Sequence, residues 1–235
     1  MSPEPAAART TTGQDGGPLP ALRAAYAAAS EAVADLTDAE SWAPTGCTGW
    51  AVRDLVVHCL EDAQRALVAL HTPTREPVDR DAVTYWRAWR PDTAAAADDR
   101  LRTRVHAGVV ADFAALRGRY RETLAAVVHA AAAAGPAGHV RTQGHVLTAG
   151  DLLTTLTVEA TVHHLDLRVG LPHVPGPAPE GLAAVRATLD GLLGRAAPPH
   201  WTDEHYARVG TGRTRLTPAE RAALGPAADR FPLFG

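Results

Sequence analysis

The sequence of 235 residues contains no lysine, no isoleucine and no asparagine, so every basic side chain apart from histidine is an arginine. The absence of lysine excludes Schiff-base and P-loop mechanisms, because both require an amine on a flexible side chain. The codons of the three missing residues are rich in A and T. Their absence, together with abundant alanine, indicates a GC-rich genome, and we expect an actinobacterial host.

The chain has two cysteines, Cys47 and Cys59, and no apolar run near the roughly 18 residues needed to cross a bilayer. No signal-peptide core follows Met1. These absences predict a cytoplasmic protein with no membrane partner. The net charge of -3 lacks the excess of basic residues that neutralises phosphates, so we also expect no nucleic-acid partner.

Apolar residues at helical spacing predict four main helices, which Pro- and Gly-rich segments separate. We predict a disordered tail at residues 1–20, a helical unit at residues 21–170, and a linker with a small, mostly helical extension at residues 171–235. The first three predicted helices cover residues 21–37, 51–70 and 93–134. The fourth starts at a capping box formed by Thr148 and Asp151 and continues to about residue 170. The expected fold is an all-α four-helix bundle with a small C-terminal extension.

The fourth predicted helix is apolar on two flanks. At about 100° per residue, the flanks consist of Leu152, Leu153, Leu156, Ala160 and Leu167 on one side and Val158, Val162, Leu165 and Val169 on the other. Glu159, His163 and Asp166 lie in the seam between these flanks, where a carboxylate without a partner is strongly unfavourable. These side chains therefore need partners, and a metal ion is one candidate.

The second predicted helix offers a third ligand. Glu159 and His163 are four residues apart and so share one helix face, while His58 lies one turn after Leu55 on the expected core side. Asp62, one turn further, is a candidate acceptor for the ring N–H of His58. Three such ligands leave a fourth coordination position open, as in catalytic zinc sites.

Spacing alone leaves other interpretations open. A single histidine such as His58 is more often a hydrogen-bonded core residue than a ligand, and a Glu and a His four residues apart also occur as a solvated pair. Cys59 points about 100° away from His58 and is expected to be a small core residue. Histidines outside the pattern, His164 among them, are expected at the surface, and the loop residue Cys47 has no predicted role.

Two segments resemble the metal-binding N-terminal domain of the mycothiol-dependent maleylpyruvate isomerases, within the DinB-like superfamily. They are WAPTGCTGWAVRDLVVH (residues 42–58) and EATVHHLDL (residues 159–167), and the resemblance covers about residues 20–170. It implies a DinB-like four-helix bundle of up-down-down-up type that holds a divalent metal, usually zinc, on one histidine of the second helix and on a glutamate and a histidine of the fourth. By the motif match these ligands are His58, Glu159 and His163.

The chain departs from the family at two points. Ala51 stands where the family commonly has a threonine whose hydroxyl caps the second helix, although Asp54 is retained. The extension is also shorter than the C-terminal domain of the isomerase, and no one of Arg208, Arg213 and Arg215 matches the family's substrate-binding arginine.

The resemblance implies that zinc binds the sulfur of mycothiol and favours the thiolate, which then attacks a small electrophile in a thiol transfer or an isomerisation. Arg87 and Arg90, beside Trp86, are candidates to bind a substrate carboxylate over an aromatic floor, with a solvated helix face as the alternative. A non-catalytic metal-binding module for binding or regulation is the competing function, because many DinB-like bundles have no assigned activity. A structural bundle without metal is a third interpretation.

Overall fold

In this computed structural model, residues 17–88 and 93–234 are described. The helices in these ranges are α1 (Pro18–Val33), α2 (Val52–His71), α3 (Ala94–Val109), α4 (Phe113–Ala133), α5 (Ala149–Leu167), α6 (Pro179–Leu193), α7 (Asp203–Gly210) and α8 (Pro218–Leu224). Short 3-10 helices cover Glu40–Trp42, Thr84–Ala88 and Gly225–Arg230. Most of the predicted tail at residues 1–20 lies outside the described residues, and α1 begins at Pro18, before the predicted end of the tail.

Side-chain caps fix the start of most helices. An oxygen of the N-cap side chain accepts a hydrogen bond from the first turn in five of them, and these caps are Thr93, Asp112, Thr148, Thr202 and Thr217. Ala51 cannot accept such a bond, but Asp54 accepts from the backbone N–H of Ala51 at 2.8 Å. This half of the capping box is enough to start α2 at Val52, as the sequence predicts.

Helices α1, α2, α4 and α5 form the bundle. α1 packs against α5 and α4, and α2 packs against α4 and α5. Their apolar faces meet in one core whose buried members include Leu22, Leu55, Leu116, Leu124 and Leu152. The all-α four-helix bundle with a small C-terminal extension is confirmed. Among the described helices, none is long and apolar enough to cross a membrane.

The prediction of one helix at residues 93–134 is wrong, because the structure divides this segment into α3 and α4. The chain leaves helical geometry at Val110, and Asp112 accepts two backbone hydrogen bonds that start α4. α3 packs on α2, and Val105 and Val109, whose spacing suggests a core face, are 57% and 78% exposed. Alanine-rich sequence carries high helix propensity on both sides of the break, so propensity alone does not reveal it.

A three-stranded antiparallel sheet lies beside the bundle, formed by β1 (Pro73–Thr74), β2 (His139–Thr142) and β3 (His145–Thr148) in the order β1-β2-β3. Strands β2 and β3 form a hairpin, with Thr142 opposite His145. Its two-residue turn is Gln143–Gly144. Gln143 has a φ of 46°, in the left-handed region that is unfavourable for most residues with a side chain.

The chain after α5 folds back onto this helix. Helices α6, α7 and α8 supply a second apolar cluster, to which α5 contributes Val158, Val162 and Leu165. One flank of α5 thus lies in the bundle core and the other in this second cluster, which confirms the two apolar flanks except at Val169, which lies beyond the end of α5 and is 54% exposed. Within the extension, α7 lies in the stretch at residues 200–215. The division of the chain at residue 170 stays a prediction.

We predict that Gln143→Asn stabilises the protein by about 0.5–1 kcal/mol, because Asn adopts positive φ with less strain and is favoured in two-residue hairpin turns. Urea unfolding measures the change as a higher midpoint with an unchanged slope. Gln64→Asn, the same change on the exposed face of α2, is the control and is expected to lower stability slightly, because Asn is the weaker helix former. A Gln143→Asn variant less stable than the wild type contradicts the prediction.

Candidate metal centre

His58 on α2 meets Glu159 and His163 on α5 where the two helices pack together. The Nε2 atoms of His58 and His163 each lie 3.3 Å from Oε1 of Glu159. The two imidazole rings are nearly perpendicular, with centroids 4.8 Å apart, and the ring of Trp50 lies 5.1 Å from that of His58. The structure brings together the three residues that the sequence pattern singles out.

This set of donors fits a divalent metal. One ligand atom from each of His58, Glu159 and His163 lies within 4.8 Å of the other two. Zinc bonds of about 2.0–2.2 Å place neighbouring ligand atoms of a tetrahedral site about 3.3–3.6 Å apart, and the two distances of 3.3 Å agree with that spacing. Imidazole nitrogen and carboxylate oxygen are both ordinary zinc ligands. The assignment of these residues as ligands stays a prediction.

The electrostatics of the site favour an ionised Glu159. Burial raises the pKa of this carboxyl, but hydrogen bonds with His163 and His58 outweigh burial and hold the pKa well below its usual value. Burial lowers the pKa of His163, whereas hydrogen bonds with Asp166, Cys47 and Glu159 raise it well above its usual value. The carboxylate is therefore anionic at neutral pH and attracts a cation.

Asp166 is the buried centre of a second group of contacts, with a side chain that is 0% exposed. Its Oδ2 accepts hydrogen bonds from Nδ1 of His163 at 3.0 Å and from Nη2 of Arg213 at 2.9 Å, and its Oδ1 accepts from Nε of Arg213 at 3.1 Å. Burial raises the pKa of Asp166, but these bonds hold it below its usual value. Asp166, predicted as an outer partner of the ligands, lies directly against His163.

Cys47, for which the sequence predicts no role, also belongs to this group. Its Sγ lies 3.3 Å from Oδ2 of Asp166 and 3.7 Å from Nδ1 of His163. The preceding residue, Gly46, docks this loop by donating from its backbone N–H to the carbonyl of Asp166 at 2.9 Å. A Cβ on Gly46 would overlap Oδ1 of Asp166, so only glycine allows this approach. The two glycines that flank Cys47 in the matched motif, Gly46 and Gly49, are the signal that this loop needs an unusual path.

Cys47, His163 and Asp166 form a second set of potential ligands with atoms within 4.8 Å of one another. This set is less suited to a cation, because the guanidinium of Arg213 already pairs with both oxygens of Asp166. A second positive charge there would meet electrostatic repulsion. The set with His58 and Glu159 is therefore the better metal site.

A cleft of about 290 Å³ reaches Glu159 from the side of the hairpin turn. The side chains that line it include Asp62, Arg65, Tyr85, Trp86, Thr142, Gln143 and Thr155. Asp62, predicted as an acceptor for the His58 ring, accepts a hydrogen bond from Nη2 of Arg65 at 2.9 Å. The carboxylate of Asp62 is thus paired with Arg65 at this cleft.

The three predicted substrate-binding residues fall in different surroundings. Trp86 is 6% exposed and stacks on Phe234 with centroids 4.5 Å apart, and its indole N–H has no hydrogen-bond partner among the described residues. Arg87 is exposed in the same 3-10 turn. Arg90 lies outside the described residues. Of these predicted residues, Trp86 lines the cleft beside Glu159.

His164 differs from the sequence prediction, whereas Cys59 agrees with it. His164 is expected at the surface but is 3% exposed, and its Nε2 hydrogen-bonds with the carbonyl of Pro175 at 2.8 Å. The segment around Pro175, which folds over α5, covers it. Cys59 packs against the bundle core, and burial raises its pKa to about 12, so it is a neutral thiol at neutral pH.

Residues 22–168 match the family described as the mycothiol maleylpyruvate isomerase N-terminal domain. The chain is also similar to a crystal structure of the mycothiol-dependent maleylpyruvate isomerase, with 17% sequence identity and a TM-score of 0.58 over 84% of this chain and 88% of that chain. At this identity the structural match shows the fold, and it confirms the DinB-like bundle. No protein with a curated description matches the chain.

We predict that Gly46→Ala destabilises the protein by about 1–3 kcal/mol, because the added methyl group must displace either the loop or the carboxylate of Asp166. Urea unfolding measures the loss. Gly118→Ala, on the exposed face of α4 with nothing near its Cβ position, is the matched control and is expected to raise stability by about 0.5–1 kcal/mol. A Gly46→Ala variant as stable as the wild type would disprove the close approach.

Proposed function

The chain belongs to the family of the mycothiol maleylpyruvate isomerase N-terminal domain, and from this membership we propose that it is a metal-dependent enzyme of thiol chemistry. The proposed cofactor is a divalent metal, zinc, on His58, Glu159 and His163. The proposed cosubstrate is mycothiol, and the proposed reaction is thiol transfer to a small electrophile or its thiol-dependent cis-trans isomerisation.

One observation carries this proposal: the Nε2 atoms of His58 and His163 each lie 3.3 Å from Oε1 of Glu159, in a site that a cleft reaches. Three protein ligands leave room for one further ligand, which is the arrangement of catalytic rather than structural zinc sites. Cys59 points about 100° away from His58 around α2 and packs against the bundle core, so it does not provide that ligand. An external thiol is therefore the proposed occupant.

Zinc supplies one piece of chemistry, since it lowers the pKa of a thiol so that the nucleophilic thiolate forms near neutral pH. In an isomerisation, the thiolate sulfur adds to an activated carbon–carbon double bond, the resulting single bond rotates, and elimination of the thiolate restores the double bond. Atoms and electrons balance without any other reactant. In a transfer, the sulfur–carbon bond instead remains in the product, and the neighbouring carbon takes up the proton that the thiol released.

The residues of the cleft supply binding and orientation. The indole N–H of Trp86 is a buried donor without a partner among the described residues, and such groups are costly unless a ligand or water accepts from them. Arg65 adds a positive charge at the same cleft, partly neutralised by Asp62. We assign to Trp86 the hydrogen bond that orients a polar group of the substrate beside Glu159.

The first test is metal content. Protein purified without chelator is expected to hold about one equivalent of zinc or a similar ion, and His163→Ala and Glu159→Gln are expected to lose most of it, because each removes one of three ligands. Elemental analysis measures the content. His129→Ala, a change at an exposed histidine of α4, is the control and keeps the metal. A folded wild-type protein that is free of metal and cannot be reloaded would refute the metal site.

The second test separates an enzyme from a non-catalytic module. After cobalt substitution, mycothiol is expected to produce a near-ultraviolet thiolate-to-metal band, and a panel of activated electrophiles that includes maleylpyruvate is expected to show metal-dependent turnover. Trp86→Phe keeps the ring but removes the N–H, and it should lower turnover about tenfold without loss of metal. Trp42→Phe, at an exposed tryptophan, is the control.

Three outcomes speak against parts of this proposal. A band that is present before thiol is added means that a cysteine of the chain fills the open position, which makes the site structural. Tight, metal-dependent thiol binding without turnover of any compound favours a non-catalytic binding module. Unchanged turnover in Trp86→Phe removes Trp86 from substrate binding.

A further inference from the structure

We propose that Arg213, in the C-terminal extension, is a positioning residue for the metal centre and acts through Asp166 on the imidazole of His163. This inference rests on the proposed function, because His163 matters there as a ligand. It adds a contribution from outside residues 22–168, the part of the chain that matches the family.

The contacts form a continuous path from the extension to the ligand. Nε and Nη2 of Arg213 donate to the two oxygens of Asp166 at 3.1 and 2.9 Å, which is a bidentate pair. Oδ2 of Asp166 lies 3.0 Å from Nδ1 of His163. The opposite nitrogen of that ring, Nε2, faces Glu159 at 3.3 Å. One end of the imidazole is thus held by the path from Arg213 and the other faces the metal site.

The local fold aims the guanidinium at Asp166. The turn after α7 contains Gly212, whose φ of 77° reverses the chain direction. Nη1 of Arg213 donates to the carbonyl of Thr211 at 2.9 Å, so that two sides of the guanidinium are fixed. The C-terminal segment braces this turn, because the N–H of Leu233 donates to the carbonyl of Gly210 at 2.8 Å.

The buried charge of Asp166 explains how Arg213 affects His163, the proposed ligand. A fully buried carboxylate needs a countercharge, and Arg213 provides it with two hydrogen bonds. Because Nδ1 of His163 donates to Asp166, Nε2 is the ring nitrogen that faces Glu159 and the proposed metal position. The loss of Arg213 removes both hydrogen bonds that hold the carboxylate of Asp166, which is then free to rotate. The ring of His163 then loses its fixed orientation.

Arg208 offers a matched control within the same extension. It lies on α7 and pairs with Glu204, at 3.0 Å from Nε and 2.9 Å from Nη2, in a partly exposed ion pair. Arg208→Gln therefore removes a comparable charge and a comparable pair of hydrogen bonds, but it leaves Asp166 untouched. Surface ion pairs of this kind contribute little to stability.

The experiment measures zinc affinity, by competition with a chromogenic chelator, for the wild type, Arg208→Gln, Arg213→Gln, Asp166→Asn and the double variant of the last two. We expect Arg213→Gln and Asp166→Asn each to weaken zinc binding by about 10-fold or more. The double variant should be no weaker than Asp166→Asn alone, because Arg213 acts through Asp166. Arg213→Lys should retain part of the affinity, and Arg208→Gln should lie within about twofold of the wild type.

A second readout does not depend on metal. The Nδ1 proton of His163 is expected as a slowly exchanging downfield NMR resonance in the wild type, assigned by its absence in His163→Gln, and it should vanish in Arg213→Gln and persist in Arg208→Gln. If Arg213→Gln does not fold, the double variant and Arg213→Lys carry the comparison, since neither leaves an uncompensated buried carboxylate.

The outcomes separate this inference from the proposed function. Zinc binding in Arg213→Gln at wild-type strength, or a loss in the double variant equal to the product of the two single losses, overturns the inference and leaves the metal site intact. A wild type that does not bind zinc overturns the proposed function. In that case the NMR resonance decides the inference, which is overturned if the resonance persists in Arg213→Gln.

Discussion

The burial of α5 on both flanks is the constraint on which the rest of this structure depends. One flank packs into the bundle and the other into the cluster formed by the extension, and of the carboxylates between them Asp166 is fully buried and Glu159 is 25% exposed. Buried carboxylates are strongly unfavourable without partners. Glu159 and Asp166 therefore gather their partners from four separate parts of the chain, namely α2, α5, the loop at residues 45–50 and the turn after α7.

The partners of these two carboxylates form a row in which acidic and basic groups alternate. It runs from Arg213 through Asp166, His163 and Glu159 to His58, with successive contacts of 2.9 to 3.3 Å. Each carboxylate in the row lies between two nitrogen groups, which offsets the cost of its burial. The Asp166 end is saturated by an arginine, whereas the Glu159 end has only imidazoles and a neighbouring cleft. Because of this difference, the Glu159 end is suited to a cation, whereas the Asp166 end is suited to hold His163 in place.

The sequence predicts the parts of this arrangement that depend on helical periodicity. The two flanks of α5, the shared face of Glu159 and His163, and the side of α2 that carries His58 all follow from spacing along a helix. The break between α3 and α4 does not, because helix propensity is nearly uniform across alanine-rich sequence and a single capping aspartate, Asp112, decides where α4 begins.

The residues that the sequence does not reveal reach the site through tertiary contacts. Cys47 lies 119 residues before Asp166 in the chain, and Arg213 lies 47 residues after it. No local pattern links such positions. His164 is misassigned for the same reason, since its burial depends on the segment around Pro175 that folds over α5. The three proposed ligands can thus be recognised from local motifs, while the contacts that support them become visible only in the folded chain.

The shared position of α5 also bears on how the molecule unfolds. The cluster of the extension includes Val158, Val162 and Leu165, and the core of the bundle includes Leu152, Leu153 and Leu156. All six residues lie on one helix. Opening of the core on one side of α5 exposes apolar surface on a helix that also completes the core on the other side. This is the condition under which both cores unfold as a single cooperative unit rather than as two independent ones. The bundle and the extension are therefore joined in folding as closely as they are in the row of charged groups, although the 147 residues of the family match include no part of the extension.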